Sequence, residues 1–272
     1  MAQAHHKSPE QLWAAICGEA REESEKEPAL ASFLYASILS HRSIERSMAF
    51  VLANKVSSPT LLSVHLLKLF NEVYESDPAL AECLRADMEA VKDRDPACDS
   101  YTQIMLFFKG YQAIQAYRIT HALWKQGRTS LALALQNRIS EIFHVDIHPA
   151  ARLGRGLMID HATGVVIGET SVLGDNVSIL HGVTLGGSGT GRGVRHPRIG
   201  HGVLLGAGVC VLGPVTIGDA AKVGAGSVVV TDVPNHSVAV GVPARIVRGS
   251  INTQEPCADM DQTDGYIHDF II

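Results

Sequence analysis

The sequence predicts an α+β protein, with an α-helical domain first and a solenoid of short parallel strands after it. Between Ile147 and Val229 a branched aliphatic residue or leucine occupies every sixth position in three successive runs. In the first 140 residues, by contrast, aliphatic and aromatic residues recur at the spacing of amphipathic helices. The change of period near residues 141 to 146 predicts where the helices end and the solenoid begins.

The six-residue repeat predicts a solenoid because it fits neither the period of a helix nor a simple two-residue alternation. It fits short strands joined by tight corners, with three hexads, or eighteen residues, in each triangular coil. Each aliphatic residue points inward, and the glycine that often follows it suits a tight corner. Stacked coils bury a continuous core, worth about 25 cal/mol per Å² of apolar surface. The inward positions are Ile147, Leu153, Ile159 and Val165, then Ile167, Leu173, Ile179 and Leu185, and finally Ile199, Leu205, Val211, Ile217, Val223 and Val229.

Two irregularities interrupt the repeat, and irregularities in a solenoid are where function tends to be built. Val165 and Ile167 can both fill one inward position, which is a slip of two residues. Between Leu185 and Ile199 the chain is rich in glycine and basic residues, which predicts a loop extruded from the stack. Loops on rigid scaffolds often carry function, although a plain flexible insertion is the alternative.

The helical part of the sequence predicts about six to eight helices, and its aromatic residues are interpreted as core residues. Proline-containing pairs separate the segments at Glu27-Pro28, Ser58-Pro59, Asp77-Pro78 and Asp95-Pro96. Since a solenoid needs its open end covered, these helices are also candidates for a cap and an oligomer contact. We predict a helical oligomerisation domain at residues 1–140, a solenoid domain at residues 141–249 and a flexible C-terminal tail at residues 250–272.

Composition and charge favour a soluble cytoplasmic protein. The net charge is −5 and the isoelectric point is near 6.2, so electrostatics gives no reason to expect nucleic acid or an anionic membrane as a partner. The five cysteines are odd in number and not closely paired, which is typical of reduced thiols rather than a disulfide framework or a zinc site. We expect no membrane span and no secretory signal, because no apolar stretch has the required length or flanks.

Polar residues that break the repeat mark a candidate site on the first coils. Asp160 and His161 follow the inward Ile159, and His181 lies two residues after Ile179. If the two-residue slip occupies one corner, Ile179 lies one coil above Ile159 and the two imidazoles stack about 4.8 Å apart, the spacing of neighbouring strands. A histidine on a solenoid surface is usually inert. A neutral imidazole held by a carboxylate is, however, the common general base near pH 7.

The residues at these positions resemble the serine O-acetyltransferases, the hexapeptide-repeat enzymes of cysteine biosynthesis. The resemblance covers nearly the whole chain. Its motifs are Arg94-Asp95-Pro96-Ala97, Asp146-Ile147-His148-Pro149-Ala150-Ala151, Asp160-His161-Ala162-Thr163-Gly164, Val183-Thr184-Leu185-Gly186-Gly187, Arg195-His196-Pro197 and Gly241-Val242-Pro243-Ala244-Arg245. The first three together are narrow, whereas the last is shared by many hexapeptide acyltransferases. The loop departs from the family at Val194, where the family often carries an aspartate before its Arg-His pair.

The resemblance implies a left-handed parallel β-helix, trimers with catalytic sites between adjacent solenoids, and trimers paired into a homo-hexamer through the helical domains. It implies transfer of an acetyl group from acetyl-CoA, a co-substrate, to the hydroxyl of L-serine, giving O-acetyl-L-serine and CoA in the first step of cysteine biosynthesis. Feedback inhibition by L-cysteine is also implied. The tail, which ends at Ile272, is expected to dock into the active site of O-acetylserine sulfhydrylase.

The resemblance also implies a role for each polar residue of the candidate site. His161 would be the base that takes the serine proton, and Asp146 would orient it. An amino acid is a zwitterion, so its pocket needs anions at one end and cations at the other. The substrate ammonium would face Asp95 and Asp160, and the substrate carboxylate would face Arg195 and His196. An arginine can meet a carboxylate through two parallel hydrogen bonds.

Acetyl-CoA is expected to lie along the coils. Its pantetheine would bind backbone amides near Gly187, Ala207 and Ala225, with Lys222 or Arg245 near phosphate. The alternative interpretation of these Gly and Ala positions is corner geometry alone. No metal and no acyl-enzyme nucleophile is needed, and Cys210 is interpreted as a packing residue because it lies in an apolar stretch.

The sequence leaves three other functions open. One is a hexapeptide acetyltransferase for another hydroxyl acceptor, such as a sugar, although Asp95 and the helical domain argue against it. Another is a zinc carbonic anhydrase of the same fold that uses His161, His196 and His201, although the loop disturbs their register and zinc needs about three converging ligands. The third is a purely structural or binding solenoid, which leaves the Asp-His pair unexplained. His181 is a spare base or, as we expect, a bystander.

Overall fold

A computed structural model of the chain describes residues 7–189, 191–248 and 256–261. The chain divides into two compact units, Met1–Phe108 and Lys109–Ile272. Among the described residues, the first unit contains helices and no strand, whereas the second contains two long helices followed by a parallel β solenoid. The predicted domain boundaries at residues 140 and 249 remain predictions.

The helices of the first unit begin and end close to the predicted punctuation. Ser8 and Ser100 cap two of them through capping boxes, which satisfy backbone N–H groups at the helix starts. Buried aliphatic and aromatic side chains form most of the core of this unit, as the helical spacing predicted. The core interpretation is wrong for Phe33 and Phe107, which are 43% and 56% exposed and stack on each other at the surface. The helices are α1 Pro9–Lys26, α2 Ala31–Leu34, α3 Ile44–Val56, α4 Ser63–Ser76, α5 Ala79–Arg94 and α6 Tyr101–Phe107, with a 3₁₀ turn at Pro28–Leu30 and a π turn at Tyr35–Leu39.

Two helices precede the solenoid in the second unit, α7 Lys109–Lys125 and α8 Thr129–Phe143. Helix α7 covers the open end of the first coil, and the Tyr117 hydroxyl donates a hydrogen bond to the Ala151 carbonyl there. Helix α8 ends at Phe143 and is capped by His144, which adopts a left-handed conformation, and the first strand begins at the next residue. The predicted range of six to eight helices is therefore confirmed, since eight α-helices are found among the described residues before the solenoid.

The solenoid consists of short strands in three sheets. The first sheet has the order β1-β4-β7-β10-β13, the second β2-β5-β8-β11 and the third β3-β6-β9-β12-β14-β15. All pairs are parallel except β14 with β15. The strands are β1 Val145–Ile147, β2 Arg152–Leu153, β3 Met158–Ile159, β4 Val165–Ile167, β5 Val172–Leu173, β6 Ser178–Ile179, β7 Thr184–Gly186, β8 Arg198–Ile199, β9 Leu204–Leu205, β10 Cys210–Leu212, β11 Thr216–Ile217, β12 Lys222–Val223, β13 Val228–Val229, β14 Val238–Gly241 and β15 Ala244–Arg248.

The strand register confirms the six-residue repeat. Each inward aliphatic residue pairs with the equivalent residue of the next coil, and Leu153 alone among these positions is only half-buried. The paired columns are Ile147, Ile167, Leu185, Val211 and Val229 in the first sheet, Leu153, Leu173, Ile199 and Ile217 in the second, and Ile159, Ile179, Leu205 and Val223 in the third.

The two-residue slip lies in one corner of the first coil. Ile159 pairs with Ile179, as predicted, and Val165 occupies the position of Val183 one coil later. Five residues, 160 to 164, therefore separate Ile159 from Val165 in the first coil, whereas three residues, 180 to 182, separate Ile179 from Val183 in the second. The extra residues enlarge the turn that carries His161.

The glycine-rich segment forms the predicted loop between β7 and β8. It leaves the stack after Gly186 and returns at Arg198, and Thr190 within it lies outside the described residues. Parts 250–255 and 262–272 of the predicted flexible tail also lie outside them, Ile272 included. Within this tail segment residues 256–259 form a short helix, α9 Pro256–Asp259, and the flexibility of the tail remains a prediction. The Cys257 carbonyl accepts a hydrogen bond from the Ser178 hydroxyl at 2.9 Å.

No helix in the described part of the chain has the length and apolar character needed to cross a membrane.

Candidate active site

His161 projects from the enlarged turn of the first coil. Both His161 and Ala162 have left-handed backbones, with φ of 53° and 62°. Such a conformation costs a residue with a Cβ about 1–3 kcal/mol, and strain of this kind is concentrated at functional sites. The His161 side chain is 76% exposed, so the turn presents an imidazole to solvent rather than packing it.

Asp160 is the carboxylate beside this imidazole. Its Oδ2 lies 3.8 Å from His161 Nε2, and its side chain is 24% exposed. Asp146, the predicted orienting residue, lies on the outer face of β1, where its Oδ1 accepts a hydrogen bond from Gln136 Nε2 at 2.6 Å. The orienting role of Asp146 therefore remains a prediction, while Asp160 is near enough to influence the His161 ring.

The His161 and His181 rings lie one coil apart, as the register predicted, but they do not stack face to face. Their centroids are 6.0 Å apart and their planes are inclined by 73°. This edge-on arrangement is wider than the predicted 4.8 Å because the enlarged turn carries His161 on a different backbone path. His181 remains close enough to pack against the candidate base.

The first turn of helix α7 holds the His161 turn in place. The Lys109 ammonium donates a hydrogen bond to the Thr163 hydroxyl. Gly110 lies so close to the coil that a Cβ there would clash with the Ile159 carbonyl oxygen and lie 3.3 Å from the Ala162 Cβ. Only glycine permits this approach, so the sequence at the start of α7 contributes to the geometry of the candidate base.

One corner of the solenoid carries a column of residues above His161. His181, Ala207 and Ala225 each stand two residues after an inward residue of the third sheet. Backbone hydrogen bonds connect the corners of successive coils, including Gly208 N–H to the His181 carbonyl at 2.9 Å and Gly226 N–H to the Ala207 carbonyl at 2.7 Å. Two of the predicted acetyl-CoA contacts therefore share a corner with the candidate base.

A second corner of the same coils carries the basic end of the loop. Arg195 Nη2 lies 2.8 Å from Glu169 Oε2, and the hydrogen bond from Arg195 holds the pKa of the Glu169 carboxyl below its usual value. Both side chains are half-buried. With Thr170 and Arg192 they line a cavity of about 520 Å³. The two arginines of this lining suit an anionic ligand, which would have to exchange with the Glu169 carboxylate to reach Arg195.

His196 is buried against this corner, with 7% of its surface exposed. Its Nδ1 accepts a hydrogen bond from the Thr170 backbone N–H at 3.2 Å and lies 2.9 Å from the Thr170 hydroxyl. A Cβ at Gly168 would clash with the imidazole, so the glycine after β4 provides the space for the ring. Burial is the main cause of a lowered His196 pKa, and the neighbouring Arg195 charge lowers it further.

Three further predicted residues have surroundings of their own. Asp95 follows helix α5 in the other compact unit, where its Oδ1 accepts a hydrogen bond from the Ala97 N–H. Lys222 is 3% exposed, and its ammonium lies 3.4 Å from Asp261 Oδ2, so a phosphate there would have to exchange with this carboxylate. Arg245 is exposed on β15. The roles of these residues remain predictions.

Sequence reasoning missed four residues that shape the site. Glu169 and Thr170 contact the Arg-His pair, while Lys109 and Gly110 contact the His161 turn. A signal for the first pair was present, because two polar residues directly follow Gly168 at the first corner after the slip. Lys109 and Gly110 gave no such signal, since their contacts form only when α7 packs on the coil.

The three histidines of the zinc alternative lie in different surroundings. His196 contacts Thr170, His161 packs on His181, and His201 Nδ1 accepts a hydrogen bond from the Asp175 N–H at 3.0 Å. The described residues contain no group of three His, Cys, Asp or Glu side chains placed to hold one metal ion.

Known proteins resemble this chain along most of its length. The family described as "Serine acetyltransferase, N-terminal" matches residues 12–116, and "Bacterial transferase hexapeptide (six repeats)" matches residues 196–231. Serine acetyltransferase 4 of Arabidopsis thaliana is 56% identical over 250 residues, covering 92% of this chain and 70% of that relative.

Two solved structures are similar in fold as well as in sequence. A serine acetyltransferase in complex with cysteine has a TM-score of 0.92 at 48% identity, covering 94% of this chain and 99% of that chain. The enzyme from Neisseria gonorrhoeae in complex with serine has a TM-score of 0.84 at 53% identity, covering 86% and 96%. Identity at this level extends over both compact units, and the chain belongs to the serine acetyltransferase family.

Proposed function

We propose that this chain transfers an acetyl group from acetyl-CoA to the hydroxyl of L-serine, giving O-acetyl-L-serine and CoA, the first step of cysteine biosynthesis. The observation that carries the proposal is the exposed His161 imidazole on its strained turn, 3.8 Å from the Asp160 carboxylate. The Asp160 carboxylate can attract the ammonium group of the substrate. The exposed His161 imidazole beside it can then approach the substrate hydroxyl.

His161 acts as the general base in this proposal. Its ring nitrogen takes the proton of the serine hydroxyl while the oxygen attacks the thioester carbonyl of acetyl-CoA. The new C–O bond forms, the C–S bond breaks, and the departing thiolate recovers the proton from the imidazolium. A positioned base of this kind contributes about 10²- to 10⁴-fold to the rate. Asp146 is assigned the orienting role that the family resemblance implies.

Recognition of serine as a zwitterion explains why two charged corners are needed. Asp160, joined by Asp95, attracts the ammonium, while Arg195 and His196 bind the carboxylate. In one chain the His161 corner follows β3 and the Arg195 corner follows β4, so the strand between them separates the two halves. A complete pocket forms when the His161 corner of one subunit meets the Arg195 corner of a neighbour, which supports a trimer with sites between subunits. Pairing of trimers through the helical domains gives the homo-hexamer.

Acetyl-CoA lies along the corner that contains His161. Ala207 and Ala225 continue this corner away from the base, so an extended pantetheine there would place the thioester near His161. Gly187, Lys222 and Arg245 complete the proposed contacts. No resident metal or prosthetic group is proposed.

The activity is tested by measuring thiol release from acetyl-CoA with and without L-serine. Release that depends on L-serine, with O-acetyl-L-serine as the product, would support the proposal. Release that depends on a sugar but not on L-serine would instead support the acetyltransferase with another acceptor.

The carboxylate site is also expected to bind L-cysteine, which differs from L-serine only in sulfur for oxygen. L-Cysteine should therefore inhibit competitively against L-serine. We expect Arg195→Ala to raise the KM for L-serine and the inhibition constant of L-cysteine together, each by at least about tenfold. This change corresponds to the loss of one charge-assisted hydrogen bond to the ligand carboxylate. Arg198→Ala is the control, because this exposed arginine of β8 makes the same change in net charge.

An unchanged cysteine inhibition in an Arg195→Ala enzyme that has lost its affinity for serine would show that cysteine binds at a separate site.

The C-terminal tail is the segment expected to bind a protein partner, and its Ile272 lies outside the described residues. We propose that the tail inserts its terminal isoleucine and carboxylate into the active site of O-acetylserine sulfhydrylase. Deleting Ile272 should leave acetyl transfer unchanged but remove complex formation, since burying one isoleucine side chain contributes about 1.5–3 kcal/mol and the terminal carboxylate adds specificity. Titration calorimetry measures this directly. Equal affinities of the full-length and truncated chains would contradict the proposal.

We also propose a cytoplasmic location. All five cysteines are present as thiols, which a reducing compartment favours.

A further inference from the structure

Thr170 is the residue that connects the loop to the second corner. Its hydroxyl oxygen accepts hydrogen bonds from the Arg195 N–H at 3.0 Å and from the His196 N–H at 3.1 Å. The same hydroxyl lies 2.9 Å from His196 Nδ1. One hydroxyl therefore contacts the backbone of both residues assigned to the substrate carboxylate and the ring of one of them.

The hydrogen bonds of Thr170 determine which nitrogen of His196 carries the proton. The Thr170 backbone N–H donates to His196 Nδ1 at 3.2 Å, so Nδ1 is an acceptor and has no proton of its own. The Thr170 hydroxyl already accepts two N–H groups, and its single proton is directed at the same Nδ1. The neutral ring must then hold its proton on Nε2.

We propose that Thr170 is a positioning residue that fixes His196 as the neutral Nε2–H tautomer, so that Nε2–H serves as a hydrogen-bond donor to the carboxylate of the amino-acid substrate. This inference rests on the proposed carboxylate site. Thr170 itself does not need to touch the substrate. It acts through the orientation and protonation of His196, and through the Arg195 backbone that it holds.

The surroundings of His196 maintain this neutral form. Protonation would add a proton at Nδ1, where the N–H and O–H of Thr170 already point. Arg195 and His148 also face the ring and oppose a positive charge, whereas Glu169 favours it. Burial outweighs the effect of Glu169, and the His196 pKa is lowered. A neutral donor is thereby kept available across the physiological range of pH.

The test compares Thr170→Val with Thr170→Ser in the full-length oligomer. Valine has the shape of threonine without its hydroxyl, whereas serine retains the hydroxyl. We expect Thr170→Val to raise the KM for L-serine and the inhibition constant of L-cysteine about tenfold, with kcat and the KM for acetyl-CoA within about twofold of wild type. Thr170→Ser should restore both amino-acid constants to within about threefold.

The pH profile separates a tautomer effect from a loss of loop structure. Without the hydroxyl, Nδ1 keeps only the weaker backbone N–H of residue 170 as a donor and accepts a proton more readily, and a protonated ring always carries Nε2–H. The ratio of the KM for L-serine in Thr170→Val to that in wild type should therefore fall between pH 8 and pH 6. A ratio independent of pH, a KM within twofold of wild type, or failure of Thr170→Ser to rescue binding would each overturn the inference.

The Arg195→Ala variant shows whether a negative result concerns the role of Thr170 or the proposed carboxylate site itself. If Arg195→Ala weakens serine binding but Thr170→Val does not, the carboxylate site stands and the role of Thr170 is wrong. If neither variant weakens serine binding, the carboxylate assignment itself is wrong.

Discussion

Replacing His161 with alanine is expected to lower serine-dependent thiol release by about 10²- to 10⁴-fold, because this imidazole is the base assigned to take the hydroxyl proton. The side chain is 76% exposed, so its removal leaves the core intact and the oligomer should form normally. Steady-state kinetics gives the rate, and size-exclusion chromatography with light scattering gives the assembly.

His181→Ala is the matched control for this experiment. The two imidazoles lie 6.0 Å apart at equivalent positions of successive coils, yet only His161 stands on the left-handed turn beside Asp160. We expect His181→Ala to retain most of the activity. An inactive His181→Ala enzyme together with an active His161→Ala enzyme would assign the base to the second coil instead.

Gly110→Ala is expected to lower the free energy of unfolding by about 3 kcal/mol and to reduce activity strongly. The new Cβ would clash with the Ile159 carbonyl oxygen, and the carbonyl is backbone that cannot rotate away. Overpacking of this kind costs about 1–3 kcal/mol. Relief of the clash must shift helix α7 or the turn that carries His161. Chemical denaturation monitored by circular dichroism measures the first effect, and kcat measures the second.

Gly18→Ala is the control for this substitution. Gly18 lies within helix α1, and a Cβ there would meet no atom within 4 Å. Alanine is a better helix former, so this change should raise the free energy of unfolding by about 0.4–1 kcal/mol. Equal stability of the two alanine variants would show that the close approach of Gly110 is not required.

The solenoid could be predicted from the sequence because its core is periodic. Counting from Ile159 to Ile179 across the slip gave the strand pairing that the structure shows, since every inward position repeats with the coil. The period identifies a parallel stack but contains no information about its hand, which came only from the family resemblance. Local sequence patterns also predicted where the helices end near the prolines and where the loop leaves the solenoid.

The contacts of the candidate site could not be predicted in the same way. Thr170 and His196 are brought together only when the loop folds back on the corner, and nothing in a local pattern determines that path. The ion pair of Lys222 with Asp261 depends on the path of residues 256–261, for which the sequence predicted a flexible tail. In the proposed trimer, Asp160 and Arg195 of different chains face one substrate, and a local pattern in the sequence does not specify that geometry.

Strand β15 determines how the third sheet of the solenoid ends. Strand β15 reverses direction and pairs antiparallel with β14, at the edge of the third sheet. A parallel stack with an open final coil would offer a row of unpaired N–H and C=O groups, on which a foreign strand could continue the pattern. The reversal turns this edge into a poor template for further parallel addition. At the third sheet, the repeat that stabilises the scaffold therefore ends in a strand that does not favour the addition of another coil.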